Sequence, residues 1–182
     1  WLLGSGLLLV PGPGWGPNAY VRSAACSALG PLAASSYTCT IDTTGGNYYV
    51  ATGVATAGTV SALSFADNQT GTCAAPVQSL IGSPSAVVSG AIAGCIVGTP
   101  GSTIVTVTFT NTVQPTFYAL FLDLYSGVNT AAAINTSQAN GQTSPTTTTD
   151  ATTTTAATTT VDGAMIVGVS FVVESVSNVT AG

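Results

Sequence analysis

The sequence predicts an all-β protein: an antiparallel β-sandwich with an extended N-terminal arm. Three observations carry this. Several short runs alternate apolar and polar residues with a period of two, which puts one face of a strand in a core. Gly-, Pro- and Asn-rich clusters ("TTGGN", "ADNQTG", "IGSPS", "GTPGS", "SGVN") separate them and read as turns. Helical periodicity is weak throughout. Many short strands between such turns point to a sandwich of roughly eight to ten strands.

Taken in order, the first element is "WLLGSGLLLV", an uncharged apolar stretch. No basic region precedes its apolar run and no A-x-A site follows, so it does not read as a signal peptide. Ten residues are too few to span a bilayer, which needs about 20. A β-strand needs only about five to eight. The stretch is followed by "PGPGWGPN", whose prolines stiffen the connection. Residues 1–18 are therefore read as an arm and tether, and residues 19–182 as the sandwich. The arm is expected to find no partner in its own domain.

Within the domain, "SYTCTI" puts Tyr37, Cys39 and Ile41 on one face and Thr38 and Thr40 on the other. "NYYVATGVA" groups Tyr48, Val50 and Val54 opposite mostly small residues. "STIVTVTFT" sets Val105, Val107 and Phe109 against three threonines. "TFYALFLDLYS" carries Tyr118, Leu120, Leu122 and Leu124 on one face, with Phe117, Ala119, Phe121, Asp123 and Tyr125 on the other. Two apolar faces imply that this strand is covered on both sides or that its outer face meets another molecule. "GAMIVGVSFVVE" aligns Met165, Val167, Val169, Phe171 and Val173. The preceding segment 143–160 contains twelve threonines. Threonine favours β structure, so this tract is read as a strand or strand pair on the sandwich, the alternative being a glycosylated loop.

Composition narrows function by exclusion. Charged residues are 4% of the chain, against roughly 25% in ordinary soluble proteins. Arg22 is the single basic side chain, and the formal net charge is −5. Nucleic acid is thereby excluded as a partner, since phosphate neutralisation needs Lys and Arg. Without histidine there is no Ser-His-Asp or Cys-His catalysis and no His-based metal site. Without lysine there is no Schiff base. The remaining enzymatic option is a carboxylate pair, Asp123 with Asp162 or Glu174, but carboxylates beside Gly, Asn and Thr read first as turn caps. No enzyme, cofactor or metal site is expected. A structural calcium ion held by the "ADN" turn is disfavoured.

Four cysteines at scattered spacings, without a CxxC, indicate disulfides and an oxidising, extracellular location. The expected pairing is sequential, Cys26–Cys39 and Cys73–Cys95, each closing one short strand-turn segment. An uncharged surface needs another source of solubility, and covalent glycans would supply it. Asn68, Asn135 and Asn178 head the three N-x-S/T sequons. Thr146, Thr147, Thr148, Thr149, Thr152, Thr153, Thr154 and Thr155 are the candidates for O-linked sugar.

The order "SAACSALGPLAASSYTCTI", "GGNYYVATGVA", "VSALSFADNQTGTC", "STIVTVTFTN", "YALFLDLYSGVNTAAAINTSQANGQTSPTTTTD", "TTTVDGAMIVGVSF" resembles a widespread type of secreted bacterial β-sandwich surface domain, immunoglobulin-like or jelly-roll. The resemblance covers about residues 20–175. Asp123 stands near where that pattern often has a glutamate before its Tyr-Ser-Gly, and the usual surface charges are missing. The resemblance implies an extracellular location more than an activity. The architecture, an apolar strand on a stiff tether beside a sandwich, is also similar to donor-strand subunits of extracellular, pilus-like filaments.

The expected function is accordingly that of a filament subunit. Leu2, Leu3, Leu7, Leu8, Leu9 and Val10 would form a strand donated to the next copy. Trp1, Trp15, Phe117, Phe121 and Tyr125 are the candidate subunit-interface residues. The expected partners are copies of the chain itself, with a glycan or cell-surface contact besides. The alternatives are a carbohydrate-binding or adhesin-type module stacking sugar on Trp15, Tyr48 or Tyr125, and a phage surface decoration domain.

Overall fold

A computed structural model of the chain describes residues 2–9, 17–29, 36–56, 60–80, 88–111, 117–142 and 165–172. The Thr tract, Trp1, Val10, Trp15, Asp162, Glu174 and Asn178 lie outside the described residues. Among those described, the regular elements are twelve β-strands and no helix. They are β1 (Leu2–Leu9), β2 (Ala19–Leu29), β3 (Ser36–Asp42), β4 (Tyr48–Thr56), β5 (Val60–Asp67) and β6 (Thr72–Cys73). The second half comprises β7 (Val77–Leu80), β8 (Val88–Ile96), β9 (Ser102–Asn111), β10 (Phe117–Ser126), β11 (Ile134–Gln142) and β12 (Met165–Val172).

Among the described residues every strand pair is antiparallel, and the strands form three sheets. The largest runs β2-β10-β4-β8-β6, with β7 following β6 along the same edge of β8. A second sheet is β3-β9-β5, and a third is β11-β1-β12.

The large sheet and β3-β9-β5 make the sandwich. Tyr118, Leu120, Leu122 and Leu124 of β10 and Tyr49 and Ala51 of β4 pack against Cys39 and Ile41 of β3, Val105 and Val107 of β9 and Leu63 of β5. These are the faces that alternation predicts for β3, β9 and β10. Each fully buried Leu here contributes about 1.5–3 kcal/mol over leaving it in water. Tyr37 stacks on Tyr118 across the layers, with ring centroids 6.4 Å apart.

The two expected disulfides form and do different jobs. Cys26–Cys39 joins β2 to β3, so it ties one sheet to the other. Cys73–Cys95 links residues directly opposite in β6 and β8, anchoring a strand of only two residues. Closing such loops restricts the unfolded chain and stabilises the fold by about 2–4 kcal/mol each.

Strand β4 carries more than alternation suggests. It is buried from Tyr48 to Ala55 on both faces. Its outward side chains, Tyr48 and Val50, join Ile92 of β8, Val128, Ala133 and Val167 of β12 in a second core. The Tyr48 ring lies over Gly94 of β8, where a Cβ would collide with the phenol. That glycine therefore makes room for an aromatic from the neighbouring strand.

Candidate functional site

The arm was expected to be unpaired within its own chain, and here the structure corrects the sequence reading. β1 is the central strand of the third sheet. Its backbone pairs with β11 from Leu2↔Gln142 to Leu9↔Ile134, and with β12 from Leu2↔Val172 to Leu9↔Met165. The β11 register shifts once, between Leu7 and Leu9.

β1 ends at Leu9, beside Ile134 and Met165, and β2 begins at Ala19, opposite Ser126. Residues 10–18, which can span up to about 30 Å when extended, connect one sheet to the next. The loop 127–133 makes the same crossing between β10 and β11. Asn47 fixes this second crossing: its side-chain amide donates to the Val128 carbonyl (2.7 Å) and its carbonyl accepts from the Val128 N–H (3.2 Å).

The consequence is a one-strand slot. Among the described residues, β11 and β12 pair with no strand other than β1. Taking β1 out would leave two facing open edges on the same chain, while every pairing in the sandwich would survive. No disulfide ties β1, β11 or β12 to the sandwich; β1 lies against β8 and β7, β11 lies against β7, and Val167 and Met165 of β12 share an apolar cluster with Tyr48, Val50 and Ile92.

The other predicted interface residues separate. Tyr125 is 7% exposed and packs edge-to-face on Tyr20, with ring centroids 6.0 Å apart, so it is not available to another subunit. The reason is that β2 lies alongside β10 and brings Tyr20 opposite Tyr125. Phe117 is half-buried and Phe121 is 42% exposed. Tyr48, 2% exposed, is covered by the second core, and burial pushes its phenol up to about 12. Of the three aromatics proposed to stack on sugar, Tyr48 and Tyr125 are thus buried, and Trp15 lies outside the described residues. A cavity of about 200 Å³ beside Tyr48 is lined chiefly by Thr72, Gly94, Ile96, Thr130 and Ala133. It offers no carboxylate or cation to orient a ligand.

Two of the described carboxylates, Asp67 and Asp42, brace turns. Asp67 Oδ1 accepts from the N–H groups of Gln69 and Gly71, and its Oδ2 accepts from the Tyr49 hydroxyl at 2.8 Å. Burial, and then the bond to this carboxylate, hold the Tyr49 phenol far above its ordinary pKa. Asp42 accepts from Thr44 N–H and pairs with Arg22 on the surface; the Thr44 bonds, with help from Arg22, lower its pKa. Asp123 is half-buried on the outer face of β10, and burial raises its pKa.

No protein-family model, curated protein or solved structure gives a match to this chain. A functional reading therefore rests on the geometry, and the slot around β1 is its most specific feature.

Proposed function

We propose that this chain is the structural subunit of an extracellular filament, polymerising head-to-tail by strand exchange. β1 of one copy would occupy the slot between β11 and β12 of the next. The single observation that supports this is the central place of β1 between two strands that share no other described partner.

Strand exchange keeps every backbone bond of the closed monomer and changes only which chain supplies β1. The balance is then set by the tether. Pro11, Pro13 and Pro17 stiffen residues 10–18, which favours a tether that reaches a neighbouring copy. A contact made this way is head-to-tail and grows unless it closes into a ring. The two disulfides suit an oxidising, secreted setting. No catalysis is required of such a subunit. The burial of Tyr48 and Tyr125 weighs against the carbohydrate-binding alternative.

The test is assembly with and without the arm. The full chain should form uniform fibres in negative-stain micrographs and a concentration-dependent series in light scattering. A chain lacking residues 1–9 should form none, and a synthetic peptide of residues 1–10 should bind it one to one. A full chain that stays monomeric at micromolar concentration after denaturation and refolding would sink the proposal.

A further inference from the structure

We infer that Asn68 is an N-glycosylation site and that its glycan covers Ile104 on the outer face of the β3-β9-β5 sheet. This is independent of strand exchange.

The sequon is Asn68-Gln69-Thr70, in the turn that leaves β5. Asn68 is exposed, and its backbone and side chain together extend the strand pairing with β9. Its N–H donates to the Ile104 carbonyl (3.2 Å), and its Oδ1 accepts from the Ile104 N–H (2.8 Å). The amide is thereby oriented, and its Nδ2, the atom a glycan would take, has no hydrogen-bond partner among the described residues.

Thr70 supplies a second, independent observation. It is the one non-glycine residue with positive φ among those described, at 59°. A β-branched side chain is strained there, and glycine or asparagine would fit more cheaply. The conformation is imposed by the turn: Asp67 Oδ1 gathers the N–H groups of Gln69 and Gly71, and the Gln69 carbonyl accepts from Thr99 N–H. The fold has no evident use for a threonine at this position, since its exposed hydroxyl only reaches the adjacent Gln69 carbonyl. A sequon needs a hydroxyl residue at that position, which accounts for it.

The neighbourhood gives the glycan a role. Ile104 is 41% exposed, one of three large hydrophobic side chains so placed among the described residues. Opposite it on β3 is Thr40, exposed, with exposed Thr38 and Asp42 to either side. A sugar chain leaving Asn68 starts beside this surface. The donor class is a lipid phosphate- or pyrophosphate-linked oligosaccharide. The C1–O bond to phosphate breaks, C1 bonds to Nδ2, Nδ2 loses a proton, and the lipid phosphate leaves.

The experiment is peptide mapping of the full chain isolated from its own cells. Trypsin would cut only after Arg22, so chymotrypsin is used; cleavage after Phe65 and Leu80 isolates the sequon. That peptide should carry one glycan. Asn68→Gln should lose it, Thr70→Ser should keep it, and Thr70→Gly should lose it while melting no lower than the parent. The unglycosylated Asn68→Gln chain should bind more of a hydrophobic dye, and the further substitution Ile104→Thr should reverse that. An unmodified Asn68 in the parent chain would overturn the inference, as would a glycan that survives Thr70→Gly.

Discussion

The sandwich and the β1 layer are built from the same kind of strand and held in different ways. In the sandwich, the core runs across two sheets, one disulfide joins the sheets and another pins an edge. The β1 layer has backbone pairing, packs on β7 and β8, contributes Val167 and Met165 to the second apolar cluster, and has no disulfide. Its pairings also join distant parts of the chain, Leu9 with Ile134 and Leu2 with Val172. The sandwich is cross-linked by two disulfides, whereas the layer is held by non-covalent contacts alone. That difference is what the proposed strand exchange would exploit.

The largest expected effect separates the two regions directly. Leu122→Ala in the sandwich should cost about 2–5 kcal/mol, because it leaves a cavity that cannot collapse. Val167→Ala on β12 of the β1 layer should cost about 1.6 kcal/mol, two buried methylene equivalents, and should loosen β1 rather than the whole protein. Hydrogen exchange should show β1, β11 and β12 opening before β4, β8 and β10. Uniform protection across all of them would break the comparison.

Next in size is the inter-sheet disulfide. Replacing Cys26 and Cys39 together by Ser should destabilise the sandwich by about 3 kcal/mol in denaturant titrations, while the exchange of β1 persists. Loss of assembly with a stable fold would mean that the layers are coupled.

A smaller effect has the opposite sign. The Thr52 hydroxyl, on the outer face of β4, is buried without a hydrogen-bond partner among the described residues. Thr52→Val should raise stability by about 1 kcal/mol, because it removes a polar group that lost its water and gained nothing. By contrast the buried Thr43 and Thr103 hydroxyls bond each other at 3.0 Å, so Thr103→Val should destabilise.

The smallest effect is pH-dependent. Burial raises the Asp123 pKa, so the ionised form is less favourable in the folded chain than in the unfolded one. It therefore destabilises above its folded pKa, and this cost vanishes as pH falls below the ordinary carboxyl value of about 3.9. Asp123→Asn should melt slightly higher at pH 7 than the parent, and the gap should close by pH 3.

How far the sequence reached follows from these same residues. Alternation correctly placed Cys39, Ile41, Val105, Val107, Leu120 and Leu122 in the core, because a period of two is a local property of a strand with one wet face. Of the three pairings four cysteines allow, the sequential one expected is the one that forms. Strands β2 and β8 were harder to read, since their small residues, Ala, Ser and Gly, carry little β signal of their own. Gly94 makes sense only with the Tyr48 ring above it.

By itself, then, the sequence determined an all-β fold, the inward faces of its best strands and a chain with almost no charge. Tertiary structure decided what covers the other faces: that Tyr48 and Tyr125 are buried, that Phe121 is exposed, and that β1 lies between β11 and β12. The physical reason is that alternation shows which residues share a face, not what packs against it. The partner of a strand more than a hundred residues away is set by loop reach and by competition among open edges, and neither leaves a local mark on the chain.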